Sequence, residues 1–211
     1  MAVITKEGLK KTLGSIVEVL NREKNYLIEL DAAMGDGDLG LTMCRGFQAV
    51  YEEIDRLEET DMGKIFMKLG MKMNATVPST MGTLIATCLM KGAAPVKGKE
   101  TLQLSDLVVM GQAAVQGVME RGKSTVGDKT MLDALFPAVE ALAAAVIQGQ
   151  PPAEAGAAAY QAAVAGVEQT KTLQSVHGRA AYYNEKSVGR QDPGATAVML
   201  IIKGIVQPEG N

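Results

Sequence analysis

The sequence has no tryptophan, three phenylalanines and five tyrosines, an aromatic content of 4%. So few rings argue against stacking platforms for single-stranded nucleic acid and against most β-sandwich patterns. An excess of basic charge is missing too: 21 Lys and Arg face 24 Asp and Glu, a formal net charge of −3. That leaves no basic footprint for nucleic acid or for an anionic membrane. Apolar stretches break off well before the ~20 residues that a membrane span needs, and no signal-peptide pattern opens the sequence. Cys44 and Cys88 stand far apart, in no metal-ligand or redox spacing. A reducing, cytoplasmic setting is expected.

What the 211 residues do contain is a 47% hydrophobic fraction, enough to bury a core without staples. Ala, Leu, Met and Val dominate it, which favours packed helices over sheets. Leu9, Leu13, Ile16, Val17 and Leu20 fall on one helical face. Leu132, Leu135, Phe136, Val139, Leu142 and Val146 form a second stripe at three- and four-residue spacing. Similar patterns cover roughly 41–57, 62–75, 82–92, 104–120, 153–169 and 195–207. Residues 199–202 could pass for a buried strand, but they continue a segment opened by Asp192-Pro193-Gly194, an N-cap followed by proline at N1. No linker or composition shift divides the chain. The expectation is an all-α fold: one domain over 1–211, a barrel of about eight antiparallel amphipathic helices.

Two nucleotide motifs occur in form only. Residues 35–40 match G-x-G-x-x-G, yet a helical pattern precedes them, and Asp36 and Asp38 would repel a phosphate unless metal stood between. Residues 117–124 match G-x-x-x-x-G-K-[ST]. Their upstream segment, with Leu104, Leu107, Val108, Val115 and Val118, is helical where a P-loop requires a buried strand, and Glu120 disfavours a phosphate nest. An EF-hand is excluded because the bidentate Glu due at its twelfth position is Phe47.

Asp31, Asp36 and Asp38 lie within eight residues, at a helix end and in the glycine-rich turn after it. The glycines let the backbone curl so that the carboxylates can converge. With no His or Cys nearby, they form a hard oxygen set suited to Mg²⁺, which seldom sits in an all-protein cage and keeps positions for water and phosphate. Two such ions on three carboxylates leave one net positive charge to attract a polyphosphate. Ordinary solvated Asp-Gly turns are the plain alternative. A second cluster strengthens the functional reading: Asp128-Lys129-Thr130 is expected to cap the helix of the Leu132 stripe and leave an anion-friendly end. Arg179 and Asp192-Pro193-Gly194 sit in further turns that together could close over a nucleotide. His177, the single histidine, has no adjoining carboxylate and reads as a surface residue without a general-base partner.

The blocks Asp31 to Gly40, Arg121-Gly122-Lys123, Gly127-Asp128-Lys129-Thr130-Met131, Gly178-Arg179-Ala180 and Gly189 to Thr196 together resemble the L-subunit (DhaL-like) family of bacterial dihydroxyacetone kinases, in order and spacing over essentially the whole chain. The resemblance implies an eight-helix barrel that binds ADP or ATP at one rim. Asp31, Asp36 and Asp38 would be metal ligands for two Mg²⁺. Nucleotide contacts would fall to Leu39, Gly40, Leu41 and Thr42, to Thr80 and Met81, to Gly122 and Met131, to Arg179, and to Asp192, Pro193 and Gly194, with Arg179 stabilising charge in the transferred phosphoryl group. Partners follow from the same resemblance: a K subunit that holds the ketose covalently through a histidine, and, in phosphotransferase-system versions, an M subunit that recharges ADP. Two departures stand out. Leu39 replaces the His common after the last metal aspartate, and Pro78-Ser79-Thr80-Met81-Gly82 replaces a Gly-Gly-Ala-Ser-Gly loop, so that Met81 aligns with the usual serine and Ser79 or Thr80 could supply a hydroxyl from next door. A nucleotide-charged regulatory module, a kinase for another triose or tetrose, and the helical domain of a fatty-acid kinase are the competing functions. The fatty-acid kinase is disfavoured because that protein normally carries further C-terminal domains and this chain ends at Asn211, just after its last helix.

Overall fold

The computed structural model describes residues 3–206, and helices dominate them. They are α1 (Lys6–Arg22), α2 (Lys24–Ala32), α3 (Leu39–Glu53), α4 (Met62–Thr76), α5 (Thr80–Ala93), α6 (Leu104–Gly122), α7 (Leu132–Ile147), α8 (Pro152–Gln169) and α9 (Pro193–Val206), with short 3₁₀ turns between. Among the described residues β structure is limited to one isolated bridge, Ile4 to Leu102. The stretch 199–202 lies inside α9. Gln207, expected to end that helix, lies outside the described residues, as do positions 1, 2 and 208–211 of the expected domain.

Packing arranges eight of the helices as a closed ring. α1 contacts α3, then each of α3 to α9 contacts the next in sequence, and α9 returns to α1. Each helix buries one stripe toward the shared core, as with Leu9, Leu13, Ile16, Val17 and Leu20 of α1. The central layer is aliphatic and thioether-rich, with Leu20, Leu27, Met43, Met62, Ile65, Leu69, Met73 and Leu132 fully buried. Ring closure depends on small residues. A Cβ on Gly204 of α9 would lie 2.7 Å from the Ile16 Cα, so only glycine admits this approach to α1. Ala155, Ala159 and Ala163 form the buried stripe of α8, the strongest partner of α7.

The expected eight helices are therefore the ring, and α2 is an addition to it. The chain leaves α geometry at Glu23 (φ −93°, ψ 7°) and starts a separate short helix. The helix expected just before Gly35 is thus present as α2, but it buries only Leu27 and adds no broad stripe to the core. Phe136 also departs from expectation. It is 38% exposed, because α7 turns the small residues Ala134, Ala138 and Ala145 inward instead.

Candidate functional site at one rim of the barrel

An up-and-down ring brings alternate connections to the same end. Here the connections 33–38, 77–79, 123–131 and 170–192 share one rim, while 57–61, 97–103 and 148–151 lie at the other. The three polar clusters of the sequence and the 78–82 loop thus meet in space.

On the α2–α3 side the chain turns sharply after Asp31. The Gly35 N–H donates to the Asp31 carbonyl at 2.6 Å, and Gly37 adopts φ +72°. A Cβ on Gly35 would stand 2.3 Å from Asp31 Oδ1, so glycine is what gives that carboxylate room. Carboxylate oxygens of Asp31, Asp36 and Asp38 lie within 4.8 Å of one another. The Leu39 N–H, at the start of α3, donates to Asp31 Oδ2 at 3.3 Å. Arg179 arrives from the far loop, with Nη2 2.8 Å from Asp36 Oδ2. Desolvation raises the Asp38 carboxyl above the usual carboxylate range, the charges of Asp36 and Asp31 raise it further, and Arg179 opposes them. Three oxygen donors at this spacing, without nitrogen or sulfur, fit a small hard cation such as Mg²⁺.

On the α7–α9 side Asp192 is buried and caps α9. Its Oδ2 accepts from the Ala195 N–H at 2.7 Å, and Pro193 occupies N1 as expected. Burial pushes its carboxyl up to about 7, with the Asp133 charge adding to this and the Ala195 N–H and Lys129 opposing it. A Cβ on Gly194 would lie 3.0 Å from Asp192 Oδ2 and 3.5 Å from the Met131 nitrogen, so Asp192, Gly194 and Met131 form one group. Gly122 ends α6 beside Leu84 and Ser124, with Lys123 following in the left-handed region.

Between these groups, Ser79 caps α5 and accepts from the Gly82 N–H at 3.1 Å, which leaves the hydroxyl hydrogen able to donate. Thr80 and Met81 open α5. Asp38, Leu41, Thr42, Arg45, Pro78 and Ser79 line a cavity of about 270 Å³, which joins the altered 78–82 loop to the acidic turn. Gly40 packs against α2, where a Cβ would strike the Lys24 carbonyl at 2.3 Å. Leu39 is buried, and Leu41 is exposed.

Two expectations are corrected. Asp128 does not cap α7. Thr130, from the same block, does: its Oγ1 accepts from the Leu132 N–H at 3.2 Å, while Asp133, inside the first turn, reaches back to the Gly127 N–H at 2.6 Å and the Thr130 N–H at 2.7 Å. Nor does His177 lack a carboxylate: its Nε2 lies 3.0 Å from Asp128 Oδ2, an acid 49 residues earlier that neighbours in sequence could not reveal. The Thr125 N–H, then His177, hold Asp128 below the usual carboxylate range. Lys129, outside the expected site residues, is buried and donates to the carbonyls of Leu173 at 3.1 Å and Arg190 at 2.7 Å, and to that of Ser187. A signal for Asp133 was present in Thr130-x-x-Asp133, the capping-box spacing. Arg45 had no such signal.

A model of the DAK2 domain matches residues 33–207. The chain is 37% identical over 186 residues to the ADP-binding subunit DhaL of PEP-dependent dihydroxyacetone kinase from Escherichia coli (strain K12), covering 88% of this chain and 89% of that one. It is 31% identical to the corresponding subunit of the PEP-dependent kinase 1 of Listeria innocua, covering 97% of each. In fold it is similar to the dihydroxyacetone kinase of C. freundii solved with AMP-PNP and Mg²⁺, at a TM-score of 0.71 and 23% identity, covering 95% of this chain and 33% of that one.

Proposed function

The chain belongs to the DAK2 domain family, and from that premise we propose that it is the nucleotide-bearing subunit of a dihydroxyacetone-type kinase, passing the γ-phosphoryl group of ATP, or one relayed through bound ADP, to a ketose held on a separate K subunit. The observation that carries this reading is the convergence of Asp31, Asp36 and Asp38 within 4.8 Å at the rim where the other three polar loops end. It is supported by relatives named as ADP-binding subunits and by a fold neighbour solved with AMP-PNP and Mg²⁺.

In this reading Asp31, Asp36 and Asp38 would hold two Mg²⁺, which when bound would supply positive charge against the phosphates. The Leu39, Thr42 and Gly82 N–H groups already have partners in Asp31, Asp38 and Ser79, so the first-turn amides that would face anionic oxygens are those of Gly40 and Leu41 in α3 and of Thr80 and Met81 in α5. Ser79 adds a hydroxyl donor. Gly122, Met131, Asp192, Pro193 and Gly194 carry the rest of the nucleotide, and Arg179 neutralises charge that develops on the transferred group. The chain then contributes positioning and electrostatics, and a partner contributes the acceptor. A phosphotransferase-system M subunit would supply the phosphoryl group where ADP stays bound.

Calorimetry with MgADP tests the site. Asp31→Asn, Asp36→Asn and Asp38→Asn should each weaken binding at least about tenfold, roughly 1.4 kcal/mol. Affinity unchanged in all three would refute the assignment. Native mass spectrometry should show ADP with two metals. Turnover with a K subunit and dihydroxyacetone tests the transfer, and nucleotide binding without turnover would point to the regulatory module instead.

A further inference from the structure

We propose that Arg179 is a built-in counter-ion of the carboxylate triad and makes this site select a metal–nucleotide complex over the free divalent metal, an inference that rests on the reading of the triad given above. Three carboxylates with oxygens within 4.8 Å repel one another, and Arg179 relieves that repulsion through its 2.8 Å pair with Asp36. A bare Mg²⁺ entering the triad must share Asp36 with a fixed positive charge or displace it, and it offers the guanidinium nothing in return. A metal–diphosphate complex brings charged phosphate oxygens, two of which the planar guanidinium can engage at once. The guanidinium can then exchange Asp36 for phosphate without being left unpaired.

The surroundings suit a side-chain exchange on a fixed backbone. The Arg179 side chain is 66% exposed, so the pair is open to competition from a ligand. The loop carrying it is anchored on both flanks. His177 meets Asp128 at 3.0 Å, and Lys129 binds the carbonyls of Leu173 and Arg190. Gly178, between His177 and Arg179, has φ +68° with open space around it.

Titrations of MgCl₂ alone and of ADP in saturating Mg²⁺, followed by calorimetry on wild type, Arg179→Gln and Arg179→Lys, test the idea. Arg179→Gln should bind free Mg²⁺ roughly three- to tenfold more tightly than wild type while binding MgADP more weakly. Arg179→Lys, which keeps the charge, should stay near wild type for free Mg²⁺. Equal or weaker Mg²⁺ binding by Arg179→Gln overturns the counter-ion. A wild-type protein that binds Mg²⁺ but no MgADP overturns instead the nucleotide reading on which the selectivity rests. Arg179 is exposed, so its variants should fold, and matching circular dichroism spectra would verify this.

Discussion

The rim carries two groups of acids: Asp31, Asp36 and Asp38 on the α2–α3 side, and Asp128, Asp133 and Asp192 on the α7–α9 side. In the second group the protein meets the carboxylates itself. Asp133 accepts two backbone N–H groups, Asp192 accepts one, and Asp128 has Thr125 and His177. In the first group one backbone N–H and one exposed arginine serve three converging carboxylates. Buried polar groups that are satisfied internally hold a scaffold together, whereas exposed ones aimed at one point and underserved are arranged for something that arrives. Two acidic turns of similar composition are thus separated by where their hydrogen bonds go.

Substitution can break this contrast. The largest stability loss should come from the satisfied side. Lys129→Met would take the donor from three carbonyls, that of Ser187 buried, and is expected to cost about 2–4 kcal/mol in urea denaturation. The triad substitutions should behave the opposite way, with the loss in MgADP binding already described and little change in stability. Removing the charge of Asp38 relieves repulsion, so Asp38→Asn should unfold at no lower a urea concentration than wild type. A large stability loss in both sets would erase the distinction.

The buried carboxylate sharpens the contrast through pH. Asp192 titrates near 7 in the folded chain and at the ordinary aspartate value, 3.8, when unfolded. The folded state therefore binds more protons between those values, and this group's contribution to stability falls as pH rises from about 4 to about 7. Asp192→Asn keeps a capping oxygen but cannot titrate. Thermal melts across that window should decline less steeply in the variant than in wild type, and parallel profiles would contradict the buried-acid reading. The smallest effect is expected for His177→Ala. It breaks a half-exposed pair with Asp128 and should cost no more than about 1 kcal/mol by denaturation.

How far the sequence reveals all this follows the range of the forces involved. The ring helices are legible because each buries a long stripe, and the Asp192-Pro193 start of α9 because capping is local. The helix before the acidic turn is legible, but its separation from α1 is not, because the break at Glu23 carries neither glycine nor proline. The triad is legible because its three acids lie within eight residues. The Arg179–Asp36 and His177–Asp128 pairs join segments far apart in the chain, and no spacing rule reaches across them. Asp128 precedes the helix and so reads as part of its cap, whereas Thr130 makes that bond and Asp133 reaches back from inside the first turn.

The ring also has a bearing on how this unit can be connected. α1 runs toward the rim and α9 runs away from it, in contact at Ile16 and Gly204, so Lys6 and Val206 both lie toward the face opposite the acids. The chain's order is then nearly a convention. Joined between those ends and opened at the far-side turn around Gly149, the same helices would circulate in the same sense with every rim loop uncut. Attachments made through the far face leave the rim free to meet whatever faces it.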